Sequence, residues 1–269
     1  GVLEVNSDFG EGDFARLRAA AEIAGRPLSV LLVQVDKKPN LWRETLDQVG
    51  QACADGMEVT AQVGSRAIGV MMGLEATMHP FTSHPVWLEM AALSPRERYT
   101  RLRDDENLRH RLIAERPDEK TMHFKEVELQ RTFELDAAVN YEPAPDQSIA
   151  ARAKAQGRDP FDLALELMMQ NDGQALLMHP FENYCAGDLE VVKEMLEDPN
   201  TVCGVADAGA HVGVICDASS PTSLLTHWGR DRTRGEKLPL EFLVRKQTHD
   251  TARTYGLLDR GVIAPGYKA

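Results

Sequence analysis

An aspartate and a histidine four residues apart follow an apolar run in the last third of the chain. The run at 202–205 leads to Asp207, and His211 follows after a turn of alanine and glycine. A carboxylate at a strand end can bind a metal ion and take a proton from its bound water, and an imidazole can bind the same ion. We therefore predict that Asp207 is a catalytic general acid/base and that Asp207 and His211 are metal ligands. The alternative interpretation is a turn capped by Asp207, with His211 as an ordinary polar residue.

Two arginines lie shortly after this pair, at Arg230 and Arg232. A guanidinium group can hold a carboxylate through two parallel hydrogen bonds. We predict that Arg230 or Arg232, together with His211, binds the carboxylate of a small substrate. The alternative is a structural ion pair with Asp217 or Asp231.

The elements that would position these residues show an alternation of strands and helices. A short apolar run at 1–6 and a continuous apolar run at 28–35 have the length of strands, the segment 57–63 is the next predicted strand, and the segments 14–24 and 40–55 are predicted helices. Two β-α-β steps within the first quarter of the chain indicate a parallel sheet. The carboxyl ends of such strands meet at one edge, where active sites of parallel barrels lie.

This alternation stops between 64 and 142, where arginines and acids are interleaved. The pattern favours solvated helices over a nucleic-acid surface and predicts a helical insertion within one domain that spans 1–269. The alternation then resumes with a helix capped by Ser148 and a second helix that begins at Pro160. Further strands are predicted at 133–139, 174–178 and 202–205, and further helices at 189–196, 224–228 and 238–255.

The composition limits the possible partners. The formal net charge of -12 argues against nucleic acid and anionic membranes, and favours small molecules or protein subunits. No run approaches the roughly 20 apolar residues of a membrane span, and the four cysteines form no CxxC pair, so a cytoplasmic protein is expected. The first residue is Gly1 and the last residues stop within a motif, so we expect a piece of a longer protein.

Two long segments carry a family resemblance. The sequence GVADAGAHVGVICDASSPTSLLTHWGRDR at 204–232 and the sequence LPLEFLVRKQTHDTARTYGLLDRGVIAPGYKA at 238–269 resemble the carboxyl-terminal part of the D-aminoacylase-like branch of the amidohydrolase superfamily. The resemblance implies a TIM-barrel-type (β/α)8 fold, of which this chain would form a partial barrel. It implies an enzyme that hydrolyses C–N amide bonds. It also implies a Zn2+ or other divalent metal, a substrate of the N-acyl-D-amino-acid type, and Asp207 as the proton shuttle.

The chain departs from this family in its metal ligands. No His-x-His motif occurs in the 269 residues, and the apolar strands end in Gln34 and Gln62. An amide oxygen is a poor ligand for zinc, which prefers imidazole, thiolate or carboxylate. Two hypotheses follow: a metal-dependent amidohydrolase, or a non-catalytic or assembly-dependent subunit with the same fold. Because a partial barrel exposes sheet edges, we expect a homo-oligomer or a companion chain that supplies the missing part.

Overall fold

The computed structural model divides the chain into two compact units. The first unit comprises Gly1–Ile68, Phe181–Asp207 and Asp217–Ala269, and the second comprises Gly69–Pro180 and Ala208–Cys216. The structure describes residues 1–6, 10, 12–118, 120–122, 124–135, 139–206, 213–215 and 218–268, with the side chain of Val127 left out.

The first unit is built on a parallel sheet of four strands in the order β1-β2-β3-β7. The strands are β1 (Leu3–Val5), β2 (Leu28–Leu32), β3 (Val59–Gly64) and β7 (Thr201–Gly204). The adjacent residues Ser29 and Val30 of β2 are both fully buried, as expected where both faces of a strand are covered, and Ala61 and Val63 bury one face of β3. The predicted α/β class with a parallel sheet is therefore confirmed, whereas a closed eight-stranded barrel stays a prediction.

Three helices of the first unit each precede a strand of this sheet in the chain. They are α1 (Asp13–Ala24), α2 (Leu41–Ala54) and α9 (Glu190–Glu197). The buried residues of α2 are Trp42, Thr45, Val49 and Ala52, at the three- and four-residue spacing of one helix face. Each of these helices lies close to its predicted position, because the apolar periodicity is strong.

The carboxyl-terminal part of the first unit consists of two longer helical segments. In one, α10 (Ser220–Ser223) continues into a π-helix over Leu224–Asp231. In the other, α11 (Leu240–Arg245), a π-helix over Lys246–Asp250 and α12 (Thr251–Thr254) follow without interruption. The predicted helix over 238–255 is thus confirmed, with a π-helical middle that the apolar pattern did not indicate.

A second sheet has three strands in the order β4-β6-β5, and β5 pairs with β6 in antiparallel orientation. These strands are β4 (Ile68–Met72), β5 (Phe133–Leu135) and β6 (Leu176–Glu182). Strand β4 was not predicted, because its five residues stand in the region whose pattern indicated helices. The extent of the insertion at 64–142 stays a prediction.

The helices of the second unit surround an apolar core. The core includes Met72, Phe81, Leu102, Phe161 and Met168. Its helical elements are α3 (Pro85–Glu89), α4 (Pro95–Asp104), α5 (Glu106–Ala114), α6 (Ile149–Gln156), α7 (Pro160–Met168), the short α8 (Gln170–Gly173) and 3-10 turns at Glu126–Arg131 and Pro145–Gln147. The helices between 85 and 114 confirm the helical character predicted for this region. Over the described residues, no helix is both long and apolar enough to cross a membrane.

Candidate active site

The carboxyl ends of β2, β3 and β7 share one edge of the parallel sheet. Leu32 is in register with Val63, and Val63 is in register with Cys203. Strand β7 ends at Gly204, two residues before Ala206, the last residue described in this part of the chain. The predicted catalytic residues Asp207 and His211 lie outside the described residues, so their roles stay predictions.

Gln34 and Asn183 are joined at this edge by reciprocal hydrogen bonds. The backbone N–H of Gln34 donates to Oδ1 of Asn183 over 2.8 Å, and the backbone N–H of Asn183 donates to the carbonyl of Gln34 over 2.9 Å. The side-chain oxygen of Gln34 accepts from the backbone N–H of Cys185 over 3.2 Å, and Gln34 is only 6% exposed. The Gln34 amide is therefore engaged in holding two loops together.

Gln62 lies within β3, because this strand continues to Gly64 and does not end at Gln62 as the sequence suggested. Its Nε2 donates to Oγ of Ser29 over 2.8 Å and to the hydroxyl of Tyr255 over 3.4 Å. The Tyr255 hydroxyl in turn donates to Oε2 of Glu4 over 3.0 Å. Burial, followed by the Glu4 carboxylate, raises the pKa of Tyr255. These bonds tie the carboxyl-terminal helices to one face of the sheet.

Hydrogen bonds of Ser65, Ser223 and Trp228 fix the helical segment 220–231 to the end of β3. The Ser65 hydroxyl donates to the carbonyl of Ser220 over 2.8 Å, and the Ser223 hydroxyl donates to the same carbonyl over 3.0 Å. The indole N–H of Trp228 donates to the carbonyl of Ser65 over 2.6 Å, and Trp228 is fully buried. Sequence reasoning missed these residues, although Ser65 directly follows a strand end.

Gly64 is close in space to Asn183 and Val205, which both have left-handed backbone conformations. Asn183 has φ of 61° and Val205 has φ of 58°. A methyl group on Gly64 would lie 3.6 Å from Nδ2 of Asn183 and 3.6 Å from Cβ of Val205, which is ordinary contact distance. A β-branched residue rarely adopts positive φ, so the turn after β7 is strained at Val205.

Arg232, one of the two predicted carboxylate-binding arginines, is held inside the first unit. Its Nη2 donates to Oε1 of Glu190 over 2.7 Å, its Nη1 donates to the carbonyl of Glu236 over 2.9 Å, and its guanidinium lies 4.5 Å from the ring centre of Trp228. The Arg232 side chain is fully buried. These contacts stabilise the loop after the π-helix, and binding of a substrate by Arg232 stays a prediction.

Arg230 has a different environment on the surface. It forms two hydrogen bonds to the neighbouring carboxylate of Asp231, over 2.6 and 2.8 Å, and its side chain is 73% exposed. The hydrogen bond from Arg230 lowers the pKa of Asp231. An exposed pair of this kind contributes little stability, so Arg230 can exchange Asp231 for another carboxylate.

A thiol nucleophile is disfavoured at the end of β7. Burial raises the pKa of Cys203 to about 11, which keeps this thiol protonated near neutral pH.

The described residues do not form a binding site for a divalent metal ion. Within the ranges that the structure describes, no group of three or more His, Cys, Asp or Glu side chains is arranged to hold an ion. Gln34 and Gln62 use their amides in bonds within the protein, and amide oxygens are poor ligands for zinc. The predicted ligands Asp207 and His211 lie outside this part of the chain.

Comparison with known proteins gives a family and several similar structures. The model of the amidohydrolase family matches residues 3–269. Three solved structures match: a D-aminoacylase mutant in complex with copper chloride, a D-aminoacylase studied for its binuclear metal center, and a D-aminoacylase described as defining a novel subset of amidohydrolases. Each is 19% identical to this chain and covers all of it, with TM-scores of 0.48, 0.47 and 0.47. The chain spans 45% of the length of these structures. No curated protein matches the sequence.

Proposed function

Because the chain belongs to the amidohydrolase family, we propose that it forms part of a hydrolase that cleaves a C–N amide bond in a small, carboxylate-bearing substrate. N-acyl-D-amino acids are the proposed substrate class. Asp207 acts as the general acid/base: it takes a proton from the attacking water and returns it to the leaving amine. The new C–O bond and the broken C–N bond then yield a carboxylic acid and a free amino acid.

The position of β7 is the observation that supports this proposal. Strand β7 lies parallel to β3, so its carboxyl end faces the same edge of the sheet as the ends of β2 and β3. Asp207 follows the last residue of β7 by three positions in the sequence. Polar residues at this edge are the ones that act in parallel α/β barrels.

The substrate carboxylate is proposed to bind Arg230 or Arg232, with His211 nearby. Arg230 is the more accessible of the two arginines, because its side chain is exposed and its surface pair with Asp231 is weak. Arg232 would first have to give up its contacts with Glu190 and Trp228.

A Zn2+ or other divalent metal is proposed as the cofactor, with Asp207 and His211 among its ligands. The described residues supply no set of ligands, so this proposal rests on the sequence of the segment after β7. Elemental mass spectrometry of the purified chain tests it. About one equivalent of metal, lost in the variant Asp207→Asn, supports the proposal, and metal-free protein with full activity contradicts it.

Release of amino acid from N-acyl amino acids tests the function. We expect the chain, supplied with Zn2+, to hydrolyse an N-acyl-D-amino acid faster than its carboxamide derivative, because the derivative lacks the carboxylate. Equal rates for the two compounds would contradict a carboxylate-binding site. No turnover of any N-acyl amino acid would contradict the hydrolase proposal.

A second candidate is an assembly-dependent subunit, supplied with the rest of its fold by a companion chain or by a second copy. The observation that favours it is that Gln34 and Gln62, which stand near the strand ends where the family resemblance implies metal ligands, use their amides in hydrogen bonds within the protein. Light scattering with intact-mass analysis of the purified protein measures the assembly. Full activity of the monomeric chain would exclude this candidate, and activity that appears only in a larger assembly would support it.

A further inference from the structure

Asn183 carries a buried hydrogen-bond donor that the described fold leaves unused. Asn183 is fully buried, and its Nδ2 has no hydrogen-bond partner among the described residues. Its Oδ1 accepts from the backbone N–H of Gln34 over 2.8 Å, which fixes the orientation of the amide and determines where Nδ2 points. A buried donor without an acceptor lowers stability, so its retention calls for an explanation.

The backbone of Asn183 adds to this cost. Asn183 follows β6 with φ of 61°, a left-handed conformation that asparagine tolerates better than most residues do. Its N–H donates to the carbonyl of Gln34 over 2.9 Å, so two bonds hold the residue in this conformation. Conformational strain that the surrounding structure maintains is concentrated at functional sites.

The donor lies beside Gly64, at the carboxyl end of β3. A methyl group on Gly64 would be 3.6 Å from Nδ2 and 3.5 Å from Cδ1 of Ile68, so it would touch both groups at ordinary contact distance. The position lies at the strand edge that Asp207 follows in the sequence.

From this geometry we infer that the side-chain amide of Asn183 donates a hydrogen bond to an sp2 oxygen of the bound substrate, next to Gly64. The inference rests on the proposed function for the identity of the substrate, an N-acyl amino acid. Such a substrate offers two acceptors of this chemistry, the acyl carbonyl oxygen and the carboxylate oxygen. A neutral amide at this position binds the substrate and orients it, and takes no part in proton transfer.

Two variants test the inference through kinetics. Asn183→Asp keeps an oxygen for the Gln34 N–H and tolerates the same backbone but removes the donor. Gly64→Ala keeps Asn183 and places a methyl group in the space beside Nδ2 at ordinary contact distances. We expect both variants to raise KM about tenfold with a smaller change in kcat, because the bond forms with the substrate before the reaction.

The control is Asn171→Asp, which also replaces a left-handed asparagine, with φ of 50°, but on the exposed surface of the second unit. Its KM should equal that of the unchanged protein. Wild-type KM in both Asn183→Asp and Gly64→Ala would overturn the inference and leave the proposed hydrolase intact.

A second measurement does not depend on turnover. In a 15N-labelled sample, the side-chain NH2 resonances of Asn183 are assigned by their loss in Asn183→Asp. Three probes are titrated: an N-acetyl amino acid, its carboxamide derivative, and acetate. A shift with acetate but not with the carboxamide derivative assigns the carboxylate, and a shift with the carboxamide derivative but not with acetate assigns an amide carbonyl oxygen. If the wild-type protein has no hydrolase activity, the proposed function fails, while a shift with any probe still supports the donor site. Absence of a shift with all three probes overturns the inference.

Discussion

The indole N–H of Trp228 donates a 2.6 Å hydrogen bond to the backbone carbonyl of Ser65, directly after β3. Trp228 belongs to the π-helix Leu224–Asp231, so this bond connects the carboxyl-terminal helical segment to the edge of the sheet. The predicted residues Asp207 and His211 precede Trp228 in the chain, and Arg230 and Arg232 follow it. The segment is therefore positioned by its contact with β3.

Replacing Trp228 with phenylalanine should lower the free energy of unfolding by about 1–3 kcal/mol, because the Ser65 carbonyl is left buried without its donor. Urea denaturation measures the change. Thr226→Ala, which removes an exposed hydroxyl of the same segment, should change the midpoint much less. Equal midpoints for Trp228→Phe and the unchanged protein would show that the bond does not hold the segment.

Lys246 lies at the amino-terminal end of β7, where it binds backbone carbonyls. Its ammonium donates to the carbonyls of Asp198 and Thr201 over 2.8 and 2.7 Å and to Oγ1 of Thr201 over 3.0 Å, although burial lowers its pKa. Lys246→Met should lower the free energy of unfolding by about 1–3 kcal/mol, because the buried carbonyl of Thr201 loses its ammonium donor, whereas the carbonyl of Asp198 still accepts from the N–H and the hydroxyl of Thr201. The exposed Lys154→Met serves as the control in the same denaturation experiment. A loss no larger than that of the control would contradict a structural role for the ammonium.

Substitutions of Arg230 and Arg232, the two predicted carboxylate-binding arginines, should differ in their effects on stability and on KM. Arg232→Gln removes buried contacts with Glu190 and Trp228 and should lower the free energy of unfolding by about 1–3 kcal/mol. Arg230→Gln removes an exposed guanidinium and should raise KM for a carboxylate substrate at unchanged stability. Melting temperatures and steady-state kinetics of both variants measure this. An unchanged KM in Arg230→Gln would exclude that residue from carboxylate binding.

The stability of the protein should fall in acid because His79 is buried in its neutral form. Burial, then the positive charge of Arg98, lowers its pKa from 6.5 to about 3. Its Nδ1 accepts from the backbone N–H of Phe81 over 3.2 Å, and its ring packs edge-on against Trp87. The unfolded chain binds a proton near pH 6.5 and the folded chain does not, so stability is lost as the pH falls from 6.5 towards 3. The loss is about 1.4 kcal/mol per pH unit.

The variant His79→Asn, which does not titrate in this range, should show a shallower loss between pH 6.5 and 4.5 than the unchanged protein. The exposed His110→Asn should leave the slope as it was, since the His110 side chain is 75% exposed. Chemical denaturation at several pH values measures the slopes. Parallel slopes for His79→Asn and the unchanged protein would show that His79 is protonated in the folded state.

The sequence predicts the elements of this fold best where local patterns and caps agree. Ser148 accepts from the N–H of Ala151 at the start of α6, and Gly157 ends that helix with φ of 64°. The run 28–35 was predicted as a strand because buried parallel strands are apolar on both faces, and β2 occupies Leu28–Leu32. These features depend on residues close together in the sequence.

The site was harder to predict, because its contacts join residues far apart. Asn183 contacts Gln34, which is 149 positions away, and Trp228 contacts Ser65, which is 163 positions away. The local sequence also gives Arg230 and Arg232 the same character, although one is exposed and the other is buried. Only the tertiary fold distinguishes a surface guanidinium from one that holds a loop.

The rate of amide hydrolysis by Asp207→Asn, compared with the unchanged protein, tests the proposed function most directly. Asparagine has nearly the same shape but cannot exchange a proton, so the proposal predicts a loss in kcat of about 10²- to 10⁴-fold. Asp47→Asn, which replaces an exposed carboxylate on α2, should retain the full rate. Wild-type turnover by Asp207→Asn would contradict the assignment of Asp207 as the general acid/base.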